Sequence, residues 1–283
     1  MTQKAHAAAA NDAFLAHHFD TSRQQFEAGK LGIWLFLVTE VLFFSGLFCA
    51  YAVYRSARPE VFDFSHYYLD RNLGTLNTCV LLVSSLTAAL AVRYAQLGQR
   101  WRLVTAITFT LLCAFTFLGV KYVEYSHKFH EGLLPGARFN PTEHVWETPA
   151  FRSQHPAAAR LAQELWTQRD FPVGPARAKL FRSSRAELEP LLAAGVLGGH
   201  AEYPDLPSRP RNAHVFFSLY FFMTGLHGVH VLGGIGVWSW LLVRAVRGHF
   251  GASYFGPIDY AALYWHLVDL IWIYLFPLLY LIH

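Results

Sequence analysis

Five ionisable side chains interrupt long apolar stretches of this sequence: Glu40, His227, His230, His266 and Asp269. Helical spacing groups four of them. His227 and His230 form a His-x-x-His step with Thr224 on the same face, and His266 and Asp269 are also three residues apart. Such groups can hold a metal, relay protons, or hydrogen-bond one another across helices. A metal site on helices adds carboxylates at i, i+3 or a further histidine on a facing helix, and no matching motif accompanies these residues. The reading drawn from the residues alone is a buried polar network of the five, with no catalytic residue and no metal ligand.

The elements that must position them are membrane spans. With 54% hydrophobic, 16% aromatic and only 15% charged residues in 283, the chain is far from a soluble domain. A spanning helix needs about 20 apolar residues. Five stretches qualify: 31–54, 73–95, 101–122, 212–244 and 260–282. Glu40 falls nine residues into the first, ~13 Å along a helix and near the middle of a ~30 Å hydrocarbon layer. An ionised acid there would be costly, so Glu40 is expected to be neutral, hydrogen-bonded, or turned toward protein.

The expected architecture is all-α: five transmembrane helices in a bundle, with a long extramembrane insert between the third and fourth. Residues 1–30 read as a polar cytoplasmic tail, a helix lying on the membrane surface being the alternative; 31–125 hold the first three spans and 212–283 the last two. Arg55 to Asn72 reads as a short polar loop. Lys121, Glu124 and Tyr125, at the end of the third span, are placed to snorkel to the interface. The insert, 126–211, carries ten of the 13 prolines. Two stretches in it are expected to be helical, 156–169 and 184–197, the second opened by a Ser184/Glu187 capping box. Pro277 is expected to kink the last helix.

Other motifs are uninformative or absent. Cys49, Cys79 and Cys113 sit in separate apolar runs and read as buried small hydrophobes. No phosphate-binding or dinucleotide loop is present, and the net charge of +4 is spread along the chain, which excludes nucleic acid as a partner. No cleavable signal stands out in the first thirty residues. The basic turn Arg244, Arg247, His249 could hold an anionic lipid head group or serve as an ordinary positively charged inner loop. With the N-terminus inside, the inner segments hold Lys4, Arg23, Lys30, Arg93, Arg100, Arg102, Arg244 and Arg247. The short outer loop then holds only Arg55, Arg58 and Arg71, so the N-in, C-out orientation is favoured.

Four segments together resemble subunit III of haem-copper cytochrome c oxidases: WLFLVTEVLFFSGLF around Glu40, LNTCVLLVSSLTAALA at 76–91, FMTGLHGVHVLGG at 222–234 and LYWHLVDLIWIYLFPLLY at 263–280. The segment HHFDTSRQQFEAGKLG is similar to the start of bacterial five-helix forms, which lack two N-terminal helices of the seven-helix form. The 126–211 insert departs from the family, which usually has a short loop there.

The resemblance implies a subunit without a redox centre, packed on subunit I beside subunit II, with haem and copper in those partners and no cofactor of its own. It implies phospholipid binding, support of proton uptake and enzyme lifetime, and a bacterial cytoplasmic membrane. Glu40 matches the family's carbodiimide-reactive acid, and the other four residues its helix-packing polar positions. The insert would face outward, where cytochrome c or a cytochrome-bearing complex docks. Alternatives are a subunit III-like component of a quinol oxidase or nitric oxide reductase, and a stand-alone transporter or metalloenzyme.

Overall fold

The computed structural model describes residues 15–135, 139, 141, 144–167, 210 and 212–282. Eight α-helices are described: α1 (Ser22–Ala57), α2 (Pro59–Ser65), α3 (Arg71–Gln96), α4 (Arg100–His130), α5 (Pro149–Gln154), α6 (Pro156–Thr167), α7 (Ala213–Val246) and α8 (Gly256–Tyr280). Two 3-10 turns, His66–Tyr68 and Val145–Glu147, accompany them. Helices α1, α3, α4, α7 and α8 are each long and apolar enough to cross a membrane, so the chain is an all-α, multi-pass membrane protein with five spans. Left-handed glycines help end two of the spanning helices. Gly98 (φ 66°) and Gly248 (φ 79°) each donate back to the carbonyl three residues earlier, while the next amide reaches the carbonyl five residues before it.

The described chain falls into two compact units. The first comprises Met1–Leu47, Thr75–Lys121 and Leu226–Tyr274. Its core is aromatic: Trp238, Trp265 and Trp272 are fully buried beside Phe44 and Phe117. Each indole of α8 turned toward α3 finds a hydroxyl there, Trp265 Nε1 donating to Ser84 at 2.9 Å and Trp272 Nε1 to Thr78 at 3.1 Å. The seven-residue step that separates Trp265 from Trp272 is two helical turns, so one face of α8 repeats the same contact.

Of the region expected to be a polar tail, residues 22–30 form the first turns of α1, which begins at Ser22, and residues 1–14 lie outside the described residues. Phe26 stacks on Tyr260 with centroids 5.8 Å apart, the Tyr260 hydroxyl donates to the Phe26 carbonyl at 2.8 Å, and Lys30 pairs with Asp259 at 3.3 Å. These contacts extend the helix past the apolar run, which is why hydropathy alone places its start too late.

The second unit comprises Phe48–Gly74, Tyr122–Gly225 and Leu275–His283. The stretch read as a short polar loop folds into α2 and a 3-10 turn, burying Val61, Phe62, Phe64, Tyr67 and Tyr68. Part of the insert packs on it. Thr148 caps α5 by accepting from the Phe151 amide, and buried Phe151 meets Tyr67 at 5.0 Å. The Tyr67 hydroxyl is hydrogen-bonded to His155 Nε2 at 3.1 Å. Burial, with Asp63 nearby, pushes the Tyr67 phenol above its ordinary pKa, so it remains an O–H group. The expected 156–169 helix is α6, Pro156–Thr167; the expected 184–197 helix lies outside the described residues. Helix α4 runs to His130, past the 125 boundary, and α8 continues through Pro277 to Tyr280. Cys49 and Cys79 are exposed rather than buried, because α1 and α3 turn those positions outward.

Gly234 tests how close these helices must approach. A Cβ at Gly234 would enter the Trp265 ring, whereas one at Gly236 meets nothing within 4 Å. Gly234→Ala should destabilise the protein by about 1–3 kcal/mol, while Gly236→Ala should be neutral or slightly stabilising. Thermal unfolding in detergent checks this, and equal midpoints for the two variants would refute it.

Candidate functional site

Glu40 on α1 and His230 on α7 meet, with Oε2 and Nε2 2.8 Å apart. Each side chain keeps 17% of its surface accessible, so the pair sits at the flank of its unit rather than in the core. Phe44, one turn beyond Glu40, packs edge-on against the imidazole at 5.1 Å. On the other side the Tyr264 hydroxyl donates to the His230 carbonyl at 2.9 Å, tying α8 to the same turn of α7.

The second ring nitrogen fixes the protonation logic. His230 Nδ1 lies 2.9 Å from the Leu226 carbonyl, which can only accept, so Nδ1 carries a hydrogen. Nε2 is then either an acceptor from a protonated Glu40 or a donor, within an imidazolium, to a carboxylate. Both descriptions are the same net-neutral pair, with one proton on either side of a short hydrogen bond. An acid that looked isolated in sequence is thus satisfied without a net charge inside an apolar span.

The remaining members of the expected network do not join this pair. His266 Nδ1 is 2.6 Å from the Ser85 hydroxyl on α3. His227 is fully buried, in ring contact with Phe117 at 5.5 Å and Trp272 at 5.2 Å. Asp269 is buried, with the Ser85 hydroxyl as its hydrogen-bonding neighbour. The single expected network is therefore several separate sites, all in the first unit. Three residues on an α-helix turn through about 300°, leaving the two positions some 60° apart. That offset sends His230 toward α1 and His227 toward α4 and α8, so the His-x-x-His step does not converge on one point. Among the described residues no three His, Cys, Asp or Glu side chains are grouped to hold a metal ion.

The basic turn has its own geometry. The Arg244 guanidinium lies over Trp240 at 4.8 Å, Phe250 at 5.2 Å and Tyr254 at 5.7 Å. His249 Nδ1 contacts the Arg244 carbonyl at 3.2 Å, and Arg247 is exposed. Arg244 is thereby stacked among aromatic rings, and Arg247 is the cation of the three that faces outward most freely.

The second unit holds a polar cluster that the sequence reading missed. Glu124 Oε1 accepts from the hydroxyls of Tyr280 at 2.6 Å and Tyr220 at 2.8 Å, and Lys128 Nζ stands 3.5 Å away. Lys128 also donates to the Tyr68 carbonyl at 3.3 Å. Glu124 and Lys128 are 2% and 3% exposed, so Glu124 does not snorkel as expected; Lys121, at 7%, is also turned inward, 4.4 Å over the Trp272 ring. The i, i+4 spacing of Glu124 and Lys128 was legible, but it describes a surface pair equally well. Only the tyrosines facing them decide for burial.

The chain matches the cytochrome c oxidase subunit III family over residues 3–131 and 200–283, leaving out most of the insert. It is 41% identical over 93 residues to cytochrome c oxidase subunit 3 of Thermostichus vulcanus, covering 32% of this chain and 46% of that protein. With the corresponding protein of Oncorhynchus clarkii it shares 23% identity over 275 residues, 94% of this chain and 73% of that one. For Squalus acanthias the figures are 24%, 94% and 73%. The chain thus spans about half the length of the first relative and about three quarters of the others. Matched on both sides of its insert, with five spans in order and Glu40 held by His230, the chain belongs to the cytochrome c oxidase subunit III family.

Proposed function

We propose that this chain is the non-catalytic third subunit of an aerobic haem-copper terminal oxidase in a bacterial cytoplasmic membrane. In this reading it packs on subunit I, with haem and copper held by subunits I and II. It contributes bound phospholipid, sustained proton uptake and enzyme lifetime rather than electron transfer. The observation that carries the reading is the Glu40–His230 pair. It holds one proton across a 2.8 Å hydrogen bond and stays partly accessible at the flank of α1, the spanning helix with the smallest buried share. A protonatable acid at an apolar flank is suited to exchange protons with a neighbouring subunit or lipid and is poorly suited to redox chemistry.

The same reading places the N-terminus in the cytoplasm and the C-terminus outside, supported by the surplus of Lys and Arg in the segments on the N-terminal side. Exposed Arg247, beside stacked Arg244 and His249, gives a lipid phosphate one accessible cation. The insert then lies on the outer side. Its Phe151 and His155 pack on Tyr67 of the chain's own 3-10 turn, and the insert, 126–211, is the part assigned to contact with another subunit or a cytochrome-bearing donor.

Two variants of Glu40 separate proton handling from structure. Glu40→Gln can still donate an N–H to His230 Nε2, so the complex should assemble with little loss of stability and lose its carbodiimide label. Glu40→Leu leaves Nε2 without a partner and should cost about 1–3 kcal/mol, read as a lower melting temperature. If turnover in assembled Glu40→Gln enzyme declines faster over repeated cycles, the proton role holds; unchanged decline removes it.

Purification in mild detergent should recover haem-bearing partners with this chain. Deleting 168–209 should leave the spans inserted while lowering the yield of the complex or the rate with a cytochrome donor. Recovery of the chain alone, carrying stoichiometric metal, would overturn the assignment.

A further inference from the structure

Among the buried polar atoms of the first unit that lack a hydrogen-bonded protein partner are Asn77 Oδ1 and Nδ2 and His227 Nδ1 and Nε2. Asn77 and His227 are fully buried.

Helix register brings them to one region. Ser84 on α3 meets Thr110 on α4 and Trp265 on α8. In antiparallel packing, two turns further along each helix the facing residues are Asn77, Phe117 and Trp272. Phe117 and Trp272 contact each other at 4.9 Å and are the two rings that flank His227. Asn77 and His227 therefore belong to the same layer. Asp269, three residues before Trp272, is turned instead to Ser85, while the buried Lys121 side chain lies in the layer, 4.4 Å over the Trp272 ring.

Neighbouring polar groups are already engaged. The Thr78 hydroxyl takes the Trp272 indole, Ser84 takes Trp265, Ser85 is bonded to His266 at 2.6 Å, and Thr87 is bonded to Thr110 at 2.8 Å. Leaving these four polar atoms unsatisfied in the core would consume much of a protein's net stability. Aromatic rings and aliphatic chains cannot answer them.

We propose that the layer between α3, α4, α7 and α8 is an internal hydration site, in which ordered water hydrogen-bonds Asn77 and His227. Buried water of this kind bridges groups that lack protein partners. The site is distinct from Glu40–His230: its residues face the core of the unit, whereas that pair lies at its flank. It gives a layer of aromatic rings and the Lys121 side chain a polar centre whose bonds run through solvent molecules rather than directly between helices.

The test uses the chain with its native partners in lipid, labelled with 15N-histidine. Solid-state NMR with magnetisation transfer from water protons should show a contact to the His227 ring nitrogens, assigned by its loss in His227→Phe. It should weaken in Asn77→Leu, and that variant should melt several degrees lower because bound water loses a partner. No transfer to His227 in the unaltered protein would overturn the proposal whatever the variants do. A higher melting temperature for Asn77→Leu would also overturn it, since hydrocarbon then replaces a truly unsolvated amide.

Discussion

Hydrocarbon offers no hydrogen bonds, so each polar side chain that enters a span must be answered from within the protein. Much of this structure follows from that constraint. Glu40 is answered by His230, His266 by Ser85, the Trp265 and Trp272 indoles by Ser84 and Thr78, and the Tyr264 hydroxyl by a carbonyl of the next helix. Each bond joins two different helices. The groups that would be liabilities in lipid are the ones that fix which helices lie side by side.

The constraint also separates two kinds of polar site. At Glu40 the partner is an imidazole whose other nitrogen is held by a backbone carbonyl, so the pair shares one proton and has no net charge. At Glu124 the partners are two phenols and a lysine, all deeply buried. A buried ion pair with additional hydrogen bonds is expensive to break from either side, which suits a fixed anchor. The accessible flank at Glu40 suits exchange. The same residue type thus serves opposite ends, according to what faces it.

Close packing supplies what hydrogen bonds cannot. In lipid there is little hydrophobic gain from bringing apolar helices together, so van der Waals contact and small residues matter more. Gly234 lets the Trp265 ring lie directly on α7, and Gly74 does the same for Phe276 and Tyr280. The aromatic rings of α8 are in this sense the mould around which the neighbouring glycines are placed.

Hydropathy and length by themselves determined the five spans, because about 20 apolar residues in a row have few other stable uses, and the family motifs lie on those spans. The chemistry-bearing residues were also legible as types, since a charge within such a stretch cannot be incidental. Pairing was not. Sequence gives the angle of a side chain around its own helix, but not which neighbour lies at that angle; so His227 and His230, three apart, were grouped, and the fold sent them to different partners. The inward turn of Lys121 and Glu124, the docking of the Ser22 end of α1 on Tyr260, and the buried loop around Phe62 were hidden for the same reason. Each depends on contacts between residues far apart in the chain, and those only the tertiary structure decides.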